Sequence, residues 1–331
     1  MKKVLLPASD VEVTPITFGA WAIGGWFWGG AEENESVKAI EAAIANGMTT
    51  IDTAPVYGFG QSEEYVAKAI KGKRNQVELL TKFGLVWDRK SKHIHYEKTV
   101  DNEGNLVTLY RLATKESIIR ECEDCLRRLD TDYIDLFQQH WPDDSTPVDE
   151  AMDALELLKI QGKIRAGGVS NFSAEQMSAA SQYFNLSSNQ VPYSMLSRKI
   201  EKDVVPYAIR NKKAIIVYSP LERGVLTGKI TADYTFNVGD HRSTIPFFKD
   251  PDLSHINTFL QKIKPIADDK DATLAQLVLN WTLHQPGITV VLAGARNEKQ
   301  VLENMKAASL NISDEEMTII NNELNLLKLE N

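Results

Sequence analysis

Short runs of apolar, often β-branched residues recur along this chain, and each closes on a polar residue before a longer stretch of helical periodicity begins. Residues 16–19, 48–52, 77–82, 133–140, 164–170, 188–192, 214–219 and 288–293 read as eight such strands. Between them, apolar positions spaced three and four apart predict helices over 36–45, 62–70, 114–129, 147–161, 174–183 and 273–284. Ser36, Ser62, Thr114 and Ser173 stand where N-caps belong. Ahead of the first barrel-type strand, 4–12 and 13–18 read as a small hairpin that turns at 8–10.

Regular β–α alternation implies a parallel sheet with its helices outside. A length of 331 residues admits two medium domains or one large α/β domain. A doubly wound sheet would carry a glycine-rich phosphate loop, yet Gly58-Phe-Gly60 is followed by Gln-Ser-Glu and no G-x-G-x-x-G is present. Eight strands closed by polar residues fit a (β/α)8 TIM barrel, whose chemistry sits at the C-terminal strand ends. No composition shift divides the chain, so it reads as a single domain over 1–331. Segments 86–112 and 229–253, after the third and seventh strands, exceed a minimal barrel and fall where loops form the mouth.

Composition sharpens this only a little. Hydrophobic residues make up 43% and charged residues 25%, a globular mixture that excludes a disordered chain. No apolar run approaches the ~20 residues of a membrane helix. The apolar stretch 4–8 is too short for a signal peptide, so a cytoplasmic location is expected. A net charge of −8 argues against nucleic acid or anionic lipid as a general partner, and leaves monomer or homo-oligomer open. Cys122 and Cys125 form a C-x-x-C, but they share helical spacing with Ile118, Ile119, Leu126 and Leu129 and read as small core hydrophobes. His93 and His95 lack a third ligand, so no metal site is expected.

The strand ends carry Asp52, Lys82, His140, Ser170-Asn171, Gln190, Tyr218-Ser219 and Gly294-Ala295-Arg296, with Tyr57 five residues beyond Asp52. Singly, each has a plain structural reading: a capping aspartate, a solvated lysine, a turn histidine. Together, on one barrel face, they suggest proton transfer. A tyrosine titrates near 10 and needs help to act as an acid at neutral pH. A Lys82 ammonium held by Asp52 would lower that value, and His140 could donate a hydrogen bond to a substrate oxygen. Such a group of residues would stabilise the negative charge that a carbonyl develops on receiving a hydride.

Extended matches resemble the aldo-keto reductase family over nearly the whole chain. They lie at 47–63 (GMTTIDTAPVYGFGQSE), 80–82, 128–143, 162–173, 218–229 and 294–304. The later segments are similar to the bacterial general-stress and inositol-operon branch, and to potassium-channel β-subunits. The resemblance implies Asp52, Tyr57, Lys82 and His140 as the catalytic tetrad. It implies Ser170, Asn171 and Gln190 on a nicotinamide carboxamide and Tyr218 stacked on the ring. Ser219, Leu221, Arg223, Gly224 and Lys229 would wrap a pyrophosphate. Arg296 and the helix N-terminus after Gly294, itself a cofactor-binding position, would meet an adenosine 2′-phosphate, with Gln300, Glu303 and Asn304 on the adenosine; this favours NADPH and leaves NADH possible. Asn297 stands where the branch often has a second basic residue, which softens that preference. Trp21, Trp26, Trp28, Trp87 and Trp141 are the aromatic candidates for the substrate pocket; the first loop could equally be a packed closure, and 86–112 either shapes specificity or is a disordered flap. The implied activity is reduction of an aldehyde or ketone, or reverse oxidation of a sugar or polyol. The alternatives are a cofactor-sensing regulatory subunit with slow turnover and a lyase using Lys82 as a Schiff base.

Overall fold

The computed structural model describes every residue except Val238 and Asn331. Eight parallel strands, β1 (Ile16–Gly19), β2 (Thr50–Asp52), β3 (Glu78–Phe83), β4 (Ile134–Gln139), β5 (Ile164–Ser170), β6 (Ser188–Pro192), β7 (Ala214–Tyr218) and β8 (Ile288–Gly294), close into a barrel in sequential order. Around it run α1 (Glu33–Ala45), α2 (Gln61–Ile70), α3 (Lys115–Leu129), α4 (Val148–Ile160), α5 (Ala174–Ala180), α6 (Val204–Arg210), α7 (Asp252–Asp268), α8 (Leu274–Leu283), α9 (Glu298–Lys306) and α10 (Asp314–Leu326). The expected (β/α)8 architecture is the observed one.

Side chains alternate along each strand, and that alternation splits the barrel into two environments. Outward residues such as Phe18, Ile51, Leu79 and Phe137 pack under the helices. Inward residues Leu80, Leu136, Ala166, Ile216, Val290 and Leu292 fill the lower barrel. The hairpin's Leu6, Val11 and Val13 join that inner cluster and stopper its N-terminal end. The upper barrel is polar: Asp52, Lys82, Gln138, Ser170 and Gln190 are all buried there. The site is therefore open at one end only.

Several local expectations need correction. The hairpin pairs Val4–Leu5 with Glu12–Val13 and stops short of β1. Ser36 and Ser62 are not caps. α1 begins three residues earlier, where Glu33 and Glu35 favour the positive helix end, and Ser36 Oγ donates to the Glu32 carbonyl at 2.7 Å. Gly60, at φ 104°, precedes α2; Ser62 Oγ instead donates to the Ala20 carbonyl at 3.0 Å, with Thr53 Oγ1 2.9 Å away. That buried pair ties α2 to the ends of β1 and β2. Thr114 and Ser173 do cap their helices, Ser173 within a capping box closed by Gln176.

Segment 86–112 is ordered: Leu85–Val86, Leu106–Arg111 and His93–Val100 form a three-stranded antiparallel flap beside the mouth. Asn102 pins its tip to the barrel loops, donating to the carbonyls of Gly24 at 3.0 Å and Gly58 at 3.3 Å. Cys122 and Cys125 are free and buried in α3, and burial raises the Cys122 thiol to about 12 and Cys125 further still. These thiols are packing groups, not nucleophiles. Among the described residues, no helix is long and apolar enough to cross a membrane.

Candidate active site

The structure brings Asp52, Tyr57, Lys82 and His140 together at the barrel mouth. Lys82, fully buried, donates from Nζ to Asp52 Oδ1 at 2.6 Å and to the Thr53 carbonyl at 2.8 Å. Its Nζ lies 4.9 Å from the Tyr57 ring centroid. His140 meets Tyr57 edge-on, with ring centroids 5.9 Å apart. Gln190 Nε2 donates to the other Asp52 oxygen at 2.7 Å.

Tyr57 is held by contact of two glycines. A Cβ on Gly24 would lie 2.6 Å from the Tyr57 carbonyl carbon, and one on Gly58, at φ 67°, would lie 2.1 Å from the Gly24 oxygen. Only bare backbone lets the β1 loop close on the Tyr57 turn. Gly58→Ala is expected to destabilise the fold by about 2–3 kcal/mol, from left-handed strain plus the clash. Urea unfolding alongside wild type checks this; an equal midpoint would mean that the turn relaxes freely.

The electrostatics depart from the sequence expectation in one respect. Lys82 does not pull the Tyr57 phenol down. Burial raises it well above its ordinary 10.0, and the Asp52 charge adds to the rise. Desolvation is the main cause, and the Asp52 carboxylate, 2.6 Å from the ammonium, opposes the pull of Lys82 toward a phenolate. Burial pushes Lys82 itself down, opposed by the charge and hydrogen bond of Asp52. His140 is held well below 6.5 by burial, then by the Lys82 and His95 charges. The site thus presents a neutral phenol and a neutral imidazole.

A hydrogen-bonded chain continues from the tetrad. Tyr218 Oη donates to Asn171 Oδ1 at 2.9 Å, and Asn171 Nδ2 donates to the His140 carbonyl at 2.9 Å and to Ser170 Oγ at 3.1 Å. Ser170 Oγ in turn donates to the Gln190 carbonyl at 2.8 Å. Asn171 and the Gln190 NH2 are therefore already partnered, which changes the expectation that they present free amides to a ligand. All these groups line one cleft of about 640 Å³, in the range of small-molecule sites.

Residues 15–324 match the aldo/keto reductase family. The chain belongs to that family. It is 40% identical to aldo-keto reductase YhdN of Bacillus subtilis (strain 168), over 95% of this chain and 92% of that one. It is 36% identical to a protein of Escherichia coli (strain K12) named NADH-specific methylglyoxal reductase, over 97% of both. Among solved structures, the glycerol dehydrogenase AKR11B4 of Gluconobacter oxydans superposes with a TM-score of 0.87 at 37% identity, covering 98% of this chain and 95% of that one. An aldo-keto reductase of Klebsiella pneumoniae in complex with NADPH superposes at 0.73 and 29% identity, covering 97% and 95%.

The reductase's cleft runs from the tetrad along the loop after β7. There Ser219, Glu222, Arg223 and Gly224 all take left-handed backbone (φ 56°, 44°, 53° and 103°), an unusual concentration of strain. Ser219, Leu221, Arg223 and Gly224 line the cleft. Arg223 Nε and the indole nitrogens of Trp21 and Trp28 are buried donors without a partner among the described residues. They sit together: the Arg223 guanidinium lies 5.7 Å from the Trp21 ring, and Trp21 meets Trp28 at 5.3 Å. Buried donors left without an acceptor suit an acceptor-rich ligand.

At the far end Gly294, Arg296, Gln300, Glu303 and Asn304 line the cleft. Arg296 Nη2 donates to the Gly30 carbonyl at 2.7 Å, and its backbone N–H donates to Gln300 Oε1 at 2.8 Å. Lys229 pairs with Glu303 at 3.3 Å on the rim, its side chain 64% exposed. Trp21, Trp26, Trp28 and Trp141, the aromatics expected in the substrate pocket, line the cleft. Trp87 does not: it packs edge-on against Phe59 at 5.3 Å, beneath the flap.

Phe27, His95, Tyr96, Tyr234 and Arg242 line the cleft without having been singled out as site residues from sequence. His241 and Arg242 close it. The His241 backbone N–H donates to the Phe27 carbonyl at 3.3 Å, Trp28 bridges Asp240, and Arg242 Nη1 donates to the Arg223 carbonyl at 3.2 Å. The excess length of 229–253 was the available signal.

Proposed function

We propose that this reductase reduces small aldehydes or ketones with NADPH, and can oxidise the corresponding alcohol or polyol in reverse. The Asp52–Lys82–Tyr57–His140 cluster, with a buried Asp52–Lys82 pair beneath a half-buried Tyr57 and His140, carries this reading. The methylglyoxal and glycerol in the names of two relatives support the small oxygenated substrate. When bound, the reduced nicotinamide supplies a hydride to the carbonyl carbon.

The residues do the rest. His140, neutral, donates a hydrogen bond to the carbonyl oxygen and holds it beside Tyr57 Oη. Tyr57 gives that oxygen its proton as charge builds there. Lys82, fixed by Asp52, steadies the resulting phenolate at the moment it forms. Tyr218 offers a flat ring face, Gln190 Oε1 and Ser170 lie beside it, and the Arg223 wall takes the pyrophosphate. Free thiols at Cys122 and Cys125 suit the cytoplasm.

The direct test is loss of nicotinamide absorbance with a panel of short aldehydes, sugars and inositols. Turnover of none of them would remove the proposal. The NADPH preference rests on Arg296, whose guanidinium keeps N–H groups beyond those given to the Gly30 and Trp28 carbonyls. Arg296→Ala is expected to weaken NADPH binding about tenfold and NADH by less than about twofold. Fluorescence titration of both nucleotides measures this; equal losses would place the 2′-phosphate elsewhere.

A further inference from the structure

The flap carries a polar group that the tetrad does not use. His95, on the strand His93–Val100, leans over Trp141 with ring centroids 5.1 Å apart. Trp141 directly follows His140, so His95 packs beside the neighbour of the tetrad histidine. From the neighbouring strand, Arg111 donates its Nε–H to His95 Nδ1 at 3.1 Å. Arg111 is itself fixed, donating from Nη1 to the Pro142 carbonyl at 3.1 Å with its guanidinium 5.0 Å from the Trp141 ring.

Arginine offers donors only, so Nδ1 must be the bare nitrogen and the ring proton must sit on Nε2. Burial, then the Arg111 and His93 charges, lower the imidazole to about 4, so the ring is neutral at working pH. Nε2 has no hydrogen-bond partner among the described residues, while His95 lines the cleft. The cleft wall also carries the rings of Trp21, Trp26, Phe27 and Trp141. An oriented, uncharged donor beside these rings favours an acceptor that a plain hydrocarbon chain lacks.

We infer that His95, locked in one tautomer by Arg111, binds a second oxygen of the substrate and makes carbonyls bearing a neighbouring hydroxyl or keto oxygen the preferred substrate class. The inference rests on the proposed carbonyl reduction and specifies its substrate. His140 takes the oxygen being reduced, and His95 takes the oxygen on the adjoining carbon. Both donors are neutral, so neither needs a charged substrate.

Glycolaldehyde and propanal have the same number of heavy atoms and differ by a hydroxyl in place of a methyl, so the pair isolates this contact. Steady-state reduction of both is measured with wild type, His95→Phe and His95→Gln. Phenylalanine keeps the stacking on Trp141 and removes the donor; glutamine keeps an N–H. His95→Phe is expected to lower kcat/KM for glycolaldehyde about 10- to 100-fold, mainly through KM, with propanal changed less than about threefold. His95→Gln should recover part of the glycolaldehyde loss. Equal losses on both aldehydes would make His95 a mere support for Trp141 and overturn the inference, as would no loss on either. Wild-type protein that reduces neither aldehyde, nor any other carbonyl, would instead overturn the reductase reading and take this inference with it.

Discussion

Tyr57→Phe lowers kcat for aldehyde reduction by about 100- to 10,000-fold, the usual contribution of a positioned general acid. Only one oxygen is lost. The ring remains against His140 at the same edge-on contact and under the Lys82 ammonium, so fold and nucleotide affinity should stay near wild type. Stopped-flow turnover together with nucleotide titration separates the two effects. A variant that keeps wild-type turnover would move the proton donor elsewhere.

The pH profile of the wild type gives the same assignment a second check. Reduction needs Tyr57 protonated and His140 neutral. Tyr57 is raised above 10.0 and His140 lowered below 6.5, so both groups hold the required form across the interval between those values. The reductive kcat/KM should therefore be flat from about pH 6.5 to 10 and fall only above it, as the phenol ionises. A basic limb centred near neutrality would contradict the burial argument.

The second large effect concerns stability. Lys82→Met leaves the Asp52 carboxylate buried at 1% exposure with only the amides of Gln190 and Gln138 on its Oδ2. Removing one member of a buried pair costs about 3–5 kcal/mol, because the remaining charge stays desolvated. Asp52→Asn added to Lys82→Met removes that charge and should recover most of the loss, while activity stays low because the phenolate still has no cation beside it. Urea unfolding of both single variants and the double variant gives the coupling directly. If Lys82→Met matched wild type, the ammonium would not be what holds Asp52 in the barrel. If the double variant were no better than the single, lost packing would be the cause.

Much of the site was legible along the chain because a parallel barrel converts sequence position into spatial position. Each strand end is a mouth position, so Asp52, Lys82, His140, Ser170 and Gln190 could be placed from their location alone. The resemblance then added roles. Capping was less legible. Ser36 and Ser62 have the right chemistry, but Glu33 and Gly60 set the helix starts, and Ser62 is drawn into a buried bond with Ala20 that lies 42 positions away. α7 lies almost wholly beyond the segment read as a loop, in a stretch given no element, although Leu253, Ile256, Leu260, Ile263 and Ala267 mark its buried face. α10 shows only Ile320 and Leu324 buried; its capping box at Ser313 and Glu316 was the better signal.

By itself, then, the sequence determined the eight-strand barrel, the polar mouth and the residues converging there. Periodicity and strand ends are local properties, set by backbone sterics and by which side chains water excludes. Only the tertiary structure decided what those residues do to one another. Burial, with the Asp52 charge beside Lys82, raises the Tyr57 phenol instead of acidifying it. Asn171 and Gln190 are already bonded. Trp87 turns under the flap while His95 turns into the cleft. The contacts responsible join residues 16 apart for Arg111 and His95, and 266 apart for Arg296 and Gly30. Burial, side-chain direction and the partner across a cleft exist only once such distant segments pack together.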